Sequence, residues 1–229
     1  MTELNLENPM NTKRILRPRH VVGAIGAGLL VAAGAVSADD REKRAESSPK
    51  VDLAGWPKAS VTAAKQMMKK YGQPDEATAS MLIWNESGPW KRTIVHREPV
   101  AHDFPVPHTD IIEQFIDYQV PVEKFDDLAA YDGSVIAMRT NGEVSARCGE
   151  EAMNFLAINL AADIAEGRKS VDEARRVYAE TATKAMAAMK NDRQLPAYTT
   201  GFRFELPEGK TADPDSPYRP KRATAAPAK

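Results

Sequence analysis

The sequence predicts an α+β fold in which helices pack on one face of an antiparallel sheet built from β-hairpins. Two features lead to this prediction. Apolar residues recur at helical spacing in four segments, and other segments alternate apolar and polar residues on either side of turn-forming residues. In chain order the elements are helix, hairpin, strand, helix, hairpin and two helices. Two helix-plus-hairpin units therefore precede a C-terminal helical hairpin.

The four helices are predicted from apolar residues spaced three or four apart. The first has its apolar stripe over residues 61–71 and ends at a glycine that is soon followed by a proline, and the second follows Pro121 over residues 122–131. The third covers residues 153–164 and is apolar on most sides, which predicts that it is buried. The fourth begins after Ser170, whose side chain is expected to cap it in an S-x-x-E pattern.

Strands are predicted in the segments that lie between these helices. Residues 80–98 alternate in polarity around the turn sequence ESGP, and residues 134–148 alternate around Asn141-Gly142, a pair that strongly favours a hairpin. Residues 110–120 are dense in isoleucine, phenylalanine, tyrosine and valine, and a proline follows them. We therefore predict a strand rather than a helix for this segment.

The N-terminal segment has the three parts of a secretory signal peptide. Basic residues precede an apolar run at residues 21–36, and small residues follow at the positions that a signal peptidase reads. We therefore predict that residues 1–38 are removed and that the mature protein is periplasmic or secreted. The alternative is that residues 21–36 are kept as an inner-membrane anchor. Met1 and Met10 both remain open as translation starts.

The remaining chain is predicted to contain one folded domain between two disordered segments. Residues 39–52 form a charged linker, residues 53–206 a single α+β domain, and residues 207–229 a proline-rich tail. The chain has 31 basic and 32 acidic residues, a balance that argues against nucleic acid as a partner. We expect no membrane span after signal removal. The expected partner is an envelope protein or a small ligand.

Three of the four histidines lie in the stretch HREPVAHDFPVPHTD, at residues 96–110. Strand alternation predicts that Trp90, Ile94, His96 and Glu98 share a face, with His96 and Glu98 as neighbours. Pro99, Pro105 and Pro107 are expected to keep the following segment out of the sheet, as a stiff loop. Imidazoles together with carboxylates suit zinc or another first-row divalent metal. The candidate ligands are His96, Glu98, His102 and His108, with Asp103 and Asp110 as further candidates.

The single cysteine offers a second chemistry. Cys148 lies where the second hairpin leads into the third helix, and a thiol near a helix N-terminus has its thiolate stabilised by the backbone dipole. Together with a loop histidine it would form a Cys-His dyad. The alternative, which we favour, is a buried and inert side chain, and no internal disulfide is possible with one cysteine.

These features leave two functional hypotheses. The first, which we favour, is an exported binding or interaction protein with a divalent-metal site in the segment 96–110. The second is a small periplasmic enzyme, either a metal-dependent hydrolase or a redox or acyl-transfer enzyme that uses Cys148 and a histidine. Whether the protein is an enzyme stays open, because the sequence contains no phosphate-binding loop and no nucleophile elbow.

Overall fold

The computed structural model describes residues 49–208, and the predicted signal peptide, most of the linker and most of the tail lie outside them. Within this range the helices are α1 (Lys58–Tyr71), α2 (Phe125–Tyr131), α3 (Glu151–Ala165) and α4 (Val171–Lys190). The strands are β1 (Glu76–Ala77), β2 (Met81–Ser87), β3 (Trp90–His102), β4 (His108–Asp117), β5 (Val135–Met138) and β6 (Glu143–Cys148). Short 3-10 turns occupy Val122–Lys124 and Ala197–Thr199.

The six described strands form one antiparallel sheet, which confirms the predicted α+β fold. The order across the sheet is β1-β2-β3-β4-β6-β5, so β2–β3 and β5–β6 are the two predicted hairpins. The segment 110–120, which we predicted as a strand, contributes most of β4 at the centre of the sheet. Its central position explains its apolar composition, because most of its residues are buried.

The helices fill the positions predicted for them. Helix α1 packs on β3 and β4, α3 packs on β6 and β4, and α4 covers α3. Nearly every residue of α3 is buried, as its all-round apolar character predicted. Ser170 caps α4, since its Oγ accepts the Glu173 backbone N–H at 3.2 Å. None of the helices in residues 49–208 is both long enough and apolar enough to cross a membrane.

A buried carboxylate joins α1, the sheet and α3. Glu151 begins α3, and its Oε1 accepts hydrogen bonds from Trp90 Nε1 at 2.8 Å and from Gln114 Nε2 at 3.0 Å. Tyr71 donates to the same oxygen, and Lys70 pairs with Oε2. Burial alone would raise the pKa of Glu151, but the bonds from Lys70 and Tyr71 outweigh it and hold that pKa below its usual value. The Glu151 carboxylate therefore links α1, the sheet and α3 through hydrogen bonds and an ion pair.

The depressed pKa of Glu151 predicts how the stability of the fold depends on pH. Because the folded pKa of Glu151 is depressed, the stability that it contributes is complete above the unfolded pKa of about 4.3. That contribution is lost as the pH falls through the folded pKa. Urea unfolding of the wild type and of Glu151→Gln, between about pH 6 and about pH 3, measures it. We expect the wild type to lose more stability than the variant in this window, and equal slopes would contradict the prediction.

Candidate metal centre

The β3–β4 hairpin places two histidines next to each other. His102 ends β3 and His108 begins β4, and the two residues are direct partners across the strand pair. Their ring centroids lie 5.0 Å apart. Cross-strand partners project from the same face of a sheet, so the two imidazoles share one side of the hairpin. Only residues 103–107 lie in the loop between the two strands.

The predicted loop at residues 99–110 is therefore wrong for most of its length. Strand β3 continues through Pro99, and its register against β4 shifts between Val95 and Val100. A proline is tolerated in a strand at such a bulge because no ladder hydrogen bond is required of its nitrogen. The bulged backbone finds other partners, since the carbonyl of Arg97 accepts from Ser60 Oγ at 2.7 Å.

Asp110 completes a set of three potential metal ligands with the two histidines. One ligand atom from each of His102, His108 and Asp110 lies within 4.8 Å of the other two. Asp110 Oδ1 is 3.1 Å from His108 Nε2, and Asp110 Oδ2 is 3.1 Å from His102 Nδ1. Asp110 is only 2% exposed, whereas both imidazoles are partly exposed. The set therefore combines a buried carboxylate with two partly exposed imidazoles.

Each of the three side chains is held from behind by a further group. His108 Nδ1 lies 2.8 Å from the carbonyl of Val106, and a carbonyl can only accept, so this nitrogen carries the proton. Ser134 Oγ donates to Asp110 Oδ2, and His102 Nε2 faces Asp132 Oδ1 at 3.7 Å. Such supporting contacts orient ligands and fix the tautomers of histidines in protein metal sites.

A cation beside the carboxylates of the set, either a protonated His108 or a bound metal ion, would offset their charge. Asp110 and Asp132 are both buried carboxylates, and burial raises the pKa of Asp132. The contact of His108 with Asp110, together with a second contact with Cys148, raises the pKa of His108 to about 11. This raised pKa favours the imidazolium form of His108 in the metal-free protein. A divalent ion would take the place of its Nε2 proton.

One oxygen of this set lacks a hydrogen bond of good geometry. Asp110 Oδ1 is buried without a hydrogen-bond partner, although His108 Nε2 lies only 3.1 Å away. The 3.1 Å contact is close enough for an ion pair, but a hydrogen bond needs a suitable direction as well as proximity. A buried carboxylate oxygen without a well-directed donor costs free energy, and a coordinated metal ion would remove that cost.

Cys148 lies at the inner side of the same group. It ends β6, is 5% exposed, and places its Sγ 3.5 Å from His108 Nε2. The expected Cys-His proximity therefore exists, although the thiol is also buried as the favoured alternative predicted. Asp110 and Cys148 both contact Nε2 of the His108 ring. In a catalytic triad the carboxylate instead binds the other ring nitrogen.

Aromatic packing holds the hairpin loop against α4. The Phe104 ring lies 5.0 Å from the Tyr178 ring, and the Arg175 guanidinium covers Phe104 at 3.9 Å from its centroid. Arg175 also donates to the carbonyl of Tyr131, at the end of α2. The loop that joins the two histidines is thus attached to the helical layer, which limits how far the rings can separate.

The other predicted ligands lie outside this set. His96 Nε2 bonds Glu113 Oε2 at 3.0 Å, so its neighbouring carboxylate is Glu113 and the predicted pairing with Glu98 is wrong. Glu98 instead pairs with Arg97 at 3.3 Å, and its side chain is 76% exposed. Asp103 is exposed in the hairpin loop. The bulge explains the difference, because it interrupts the alternation on which the prediction depended.

The predicted common face of Trp90, Ile94, His96 and Glu98 also fails at its first residue. Trp90 packs against Phe155 of α3, with ring centroids 4.5 Å apart, and it also bonds Glu151. It thus points into the helical layer. His96 bonds Glu113, whose other oxygen accepts from Ser145 Oγ at 2.9 Å.

Two supporting residues were not predicted from the sequence. Asp132 and Ser134 lie in the turn between α2 and β5, and the Ser134 backbone N–H donates to Asp132 Oδ1 at 2.9 Å. An aspartate two residues before a serine in a turn is too common a signal to have indicated this site.

Comparisons with known proteins give no relative for this chain. No protein-family model matches it. The curated proteins and the solved structures give no significant match either.

Proposed function

We propose that this chain is an exported binding protein whose functional site holds one divalent first-row metal ion between His102, His108 and Asp110. The observation that carries the proposal is the buried Asp110 Oδ1, which has no hydrogen-bond donor and lies 3.1 Å from a histidine nitrogen. Two imidazoles and one carboxylate suit zinc and its neighbours rather than magnesium or calcium, which prefer oxygen ligands.

The supporting contacts add to this proposal. The Val106 carbonyl keeps the proton on His108 Nδ1, so Nε2 is the nitrogen at which a metal would replace a proton. Asp132 Oδ1 faces His102 Nε2 at a longer distance of 3.7 Å. Such pairs of histidine and oxygen acceptor accompany most histidine ligands in metalloproteins.

An enzymatic function based on a thiol is the second candidate, and the contact between Cys148 and His108 favours it. Against it stand the burial of the thiol and the position of Asp110 on the same ring nitrogen. A nucleophile must reach its substrate, and a base must be oriented from its other nitrogen. We therefore propose metal binding as the function.

Zinc titration of the mature chain, prepared without an affinity tag, tests the proposal. We expect one zinc ion per chain and a rise in melting temperature, because a ligand bound only by the folded state stabilises it. At a free zinc concentration of about 100 times Kd the rise should be about 5–10 °C. A protein that takes up no zinc, and whose melting temperature zinc leaves unchanged, would refute the proposal.

Export is the other half of the proposed function, and intact-mass analysis measures it. We expect the protein recovered from the cell envelope to begin at Asp39, because the basic, apolar and small-residue segments before it form a cleavable signal. A mass that includes residues 21–36 would contradict cleavage and favour the anchored alternative.

A further inference from the structure

We propose that Cys148 is the fourth ligand of this metal ion, so that the site is a closed His₂-Asp-Cys centre selective for zinc. The inference rests on the proposed function, since it needs the metal that His102, His108 and Asp110 hold. It adds a ligand and a metal class to that site.

The sheet places the four side chains on one face. His108 and Asp110 are two residues apart on β4, and His102 is the cross-strand partner of His108. Cys148 is the β6 partner of Ile112, which lies two residues beyond Asp110. Residues two apart on a strand and residues paired across strands share a face, so three adjacent strands contribute to the site.

The distance between Cys148 and His108 fits two ligands of one tetrahedral ion, next to the group of His102, His108 and Asp110. With a zinc–nitrogen distance of about 2.0 Å and a zinc–sulfur distance of about 2.3 Å, a tetrahedral angle separates nitrogen and sulfur by about 3.5 Å. Sγ of Cys148 lies 3.5 Å from His108 Nε2. Asp110 Oδ1 lies 3.1 Å from the same nitrogen and has no hydrogen-bond partner. Sulfur and oxygen therefore both lie within ligand-to-ligand distance of the nitrogen that would coordinate the ion.

The ligand types identify the metal class. A thiolate is a soft ligand that favours zinc over magnesium, calcium and manganese, and four ligands suit the tetrahedral preference of zinc. Structural zinc sites are closed by four protein ligands, whereas catalytic sites keep a position for water. A fourth ligand from Cys148 therefore makes this a closed site rather than a catalytic one. Such a site stores or senses the ion, or stabilises the fold.

Cobalt(II) in place of zinc tests the assignment in the mature chain. Tetrahedral cobalt gives visible ligand-field bands, and a thiolate ligand adds a charge-transfer band in the near ultraviolet. The chain has one cysteine, so a thiolate band can come only from Cys148. We expect both sets of bands in the wild type. In Cys148→Ser we expect the ligand-field bands without the charge-transfer band, and a zinc affinity lower by about 10-fold to 100-fold.

The outcomes separate this inference from the proposed function. Ligand-field bands without a thiolate band in the wild type would overturn the role of Cys148 and leave the three-residue site standing. Failure of the wild type to bind cobalt and zinc would overturn both. The wild-type spectrum decides the first point even if Cys148→Ser does not fold.

Discussion

Replacing His108 with alanine is expected to lower zinc affinity by at least about 100-fold, because it removes a ligand and not only a supporting contact. His108 stands between Asp110 and Cys148 and touches both. Isothermal titration of His108→Ala against the wild type measures the effect. The fold should persist, since the ring is partly exposed at the start of a strand.

His96→Ala is the matched control for this experiment. His96 is also a partly exposed strand histidine, and its Nε2 likewise bonds a carboxylate, that of Glu113. It lies outside the ligand set, so its removal should change zinc affinity by less than about 3-fold, within the ordinary scatter of a distant substitution. Equal losses in the two variants would contradict the assignment of the site.

Replacing Glu151 with alanine is expected to lower the free energy of unfolding by about 2–4 kcal/mol. The substitution leaves Trp90 Nε1 and Gln114 Nε2 without the acceptor that they share, in a part of the core where water does not replace it. It also removes the partner of Lys70. Urea unfolding at neutral pH measures the change.

Glu180→Ala provides the comparison for this substitution. Glu180 pairs with Arg176 one helical turn away on α4, and both side chains are more than half exposed. Exposed pairs of this kind contribute below about 0.5 kcal/mol. If the Glu151 variant lost no more stability than the Glu180 variant, the carboxylate of Glu151 could not be an important link between α1, the sheet and α3.

The fold could be predicted because local signals agreed with the tertiary structure. Asn141-Gly142 indicated the β5–β6 hairpin, and the all-round apolar run at 153–164 indicated the buried helix α3. The strand assigned to 110–120 depended on its β-forming residues, and its central place in the sheet agrees with them. In each case, residues near in sequence carried the information.

The site could be predicted only in part, because it depends on pairing between strands. The stretch 96–110 contains His102, His108 and Asp110, which were among the candidates and which the structure brings together. Their convergence follows from the register of β3 against β4, which the bulge at Pro99 shifts. Sequence alternation alone carried His96 and Glu98 into the predicted set, because it contains no sign of that shift.

Anomalous X-ray scattering at the zinc absorption edge, from crystals of the mature chain grown with zinc, tests the site most directly. We expect one strong anomalous peak, about 2.0–2.3 Å from a nitrogen of His102, from His108 Nε2, from an oxygen of Asp110 and from Cys148 Sγ. A peak bound by the first three and clear of the sulfur would retain the site but remove the fourth ligand. No peak at Asp110, or a peak beside His96 and Glu113 instead, would contradict the proposed metal centre.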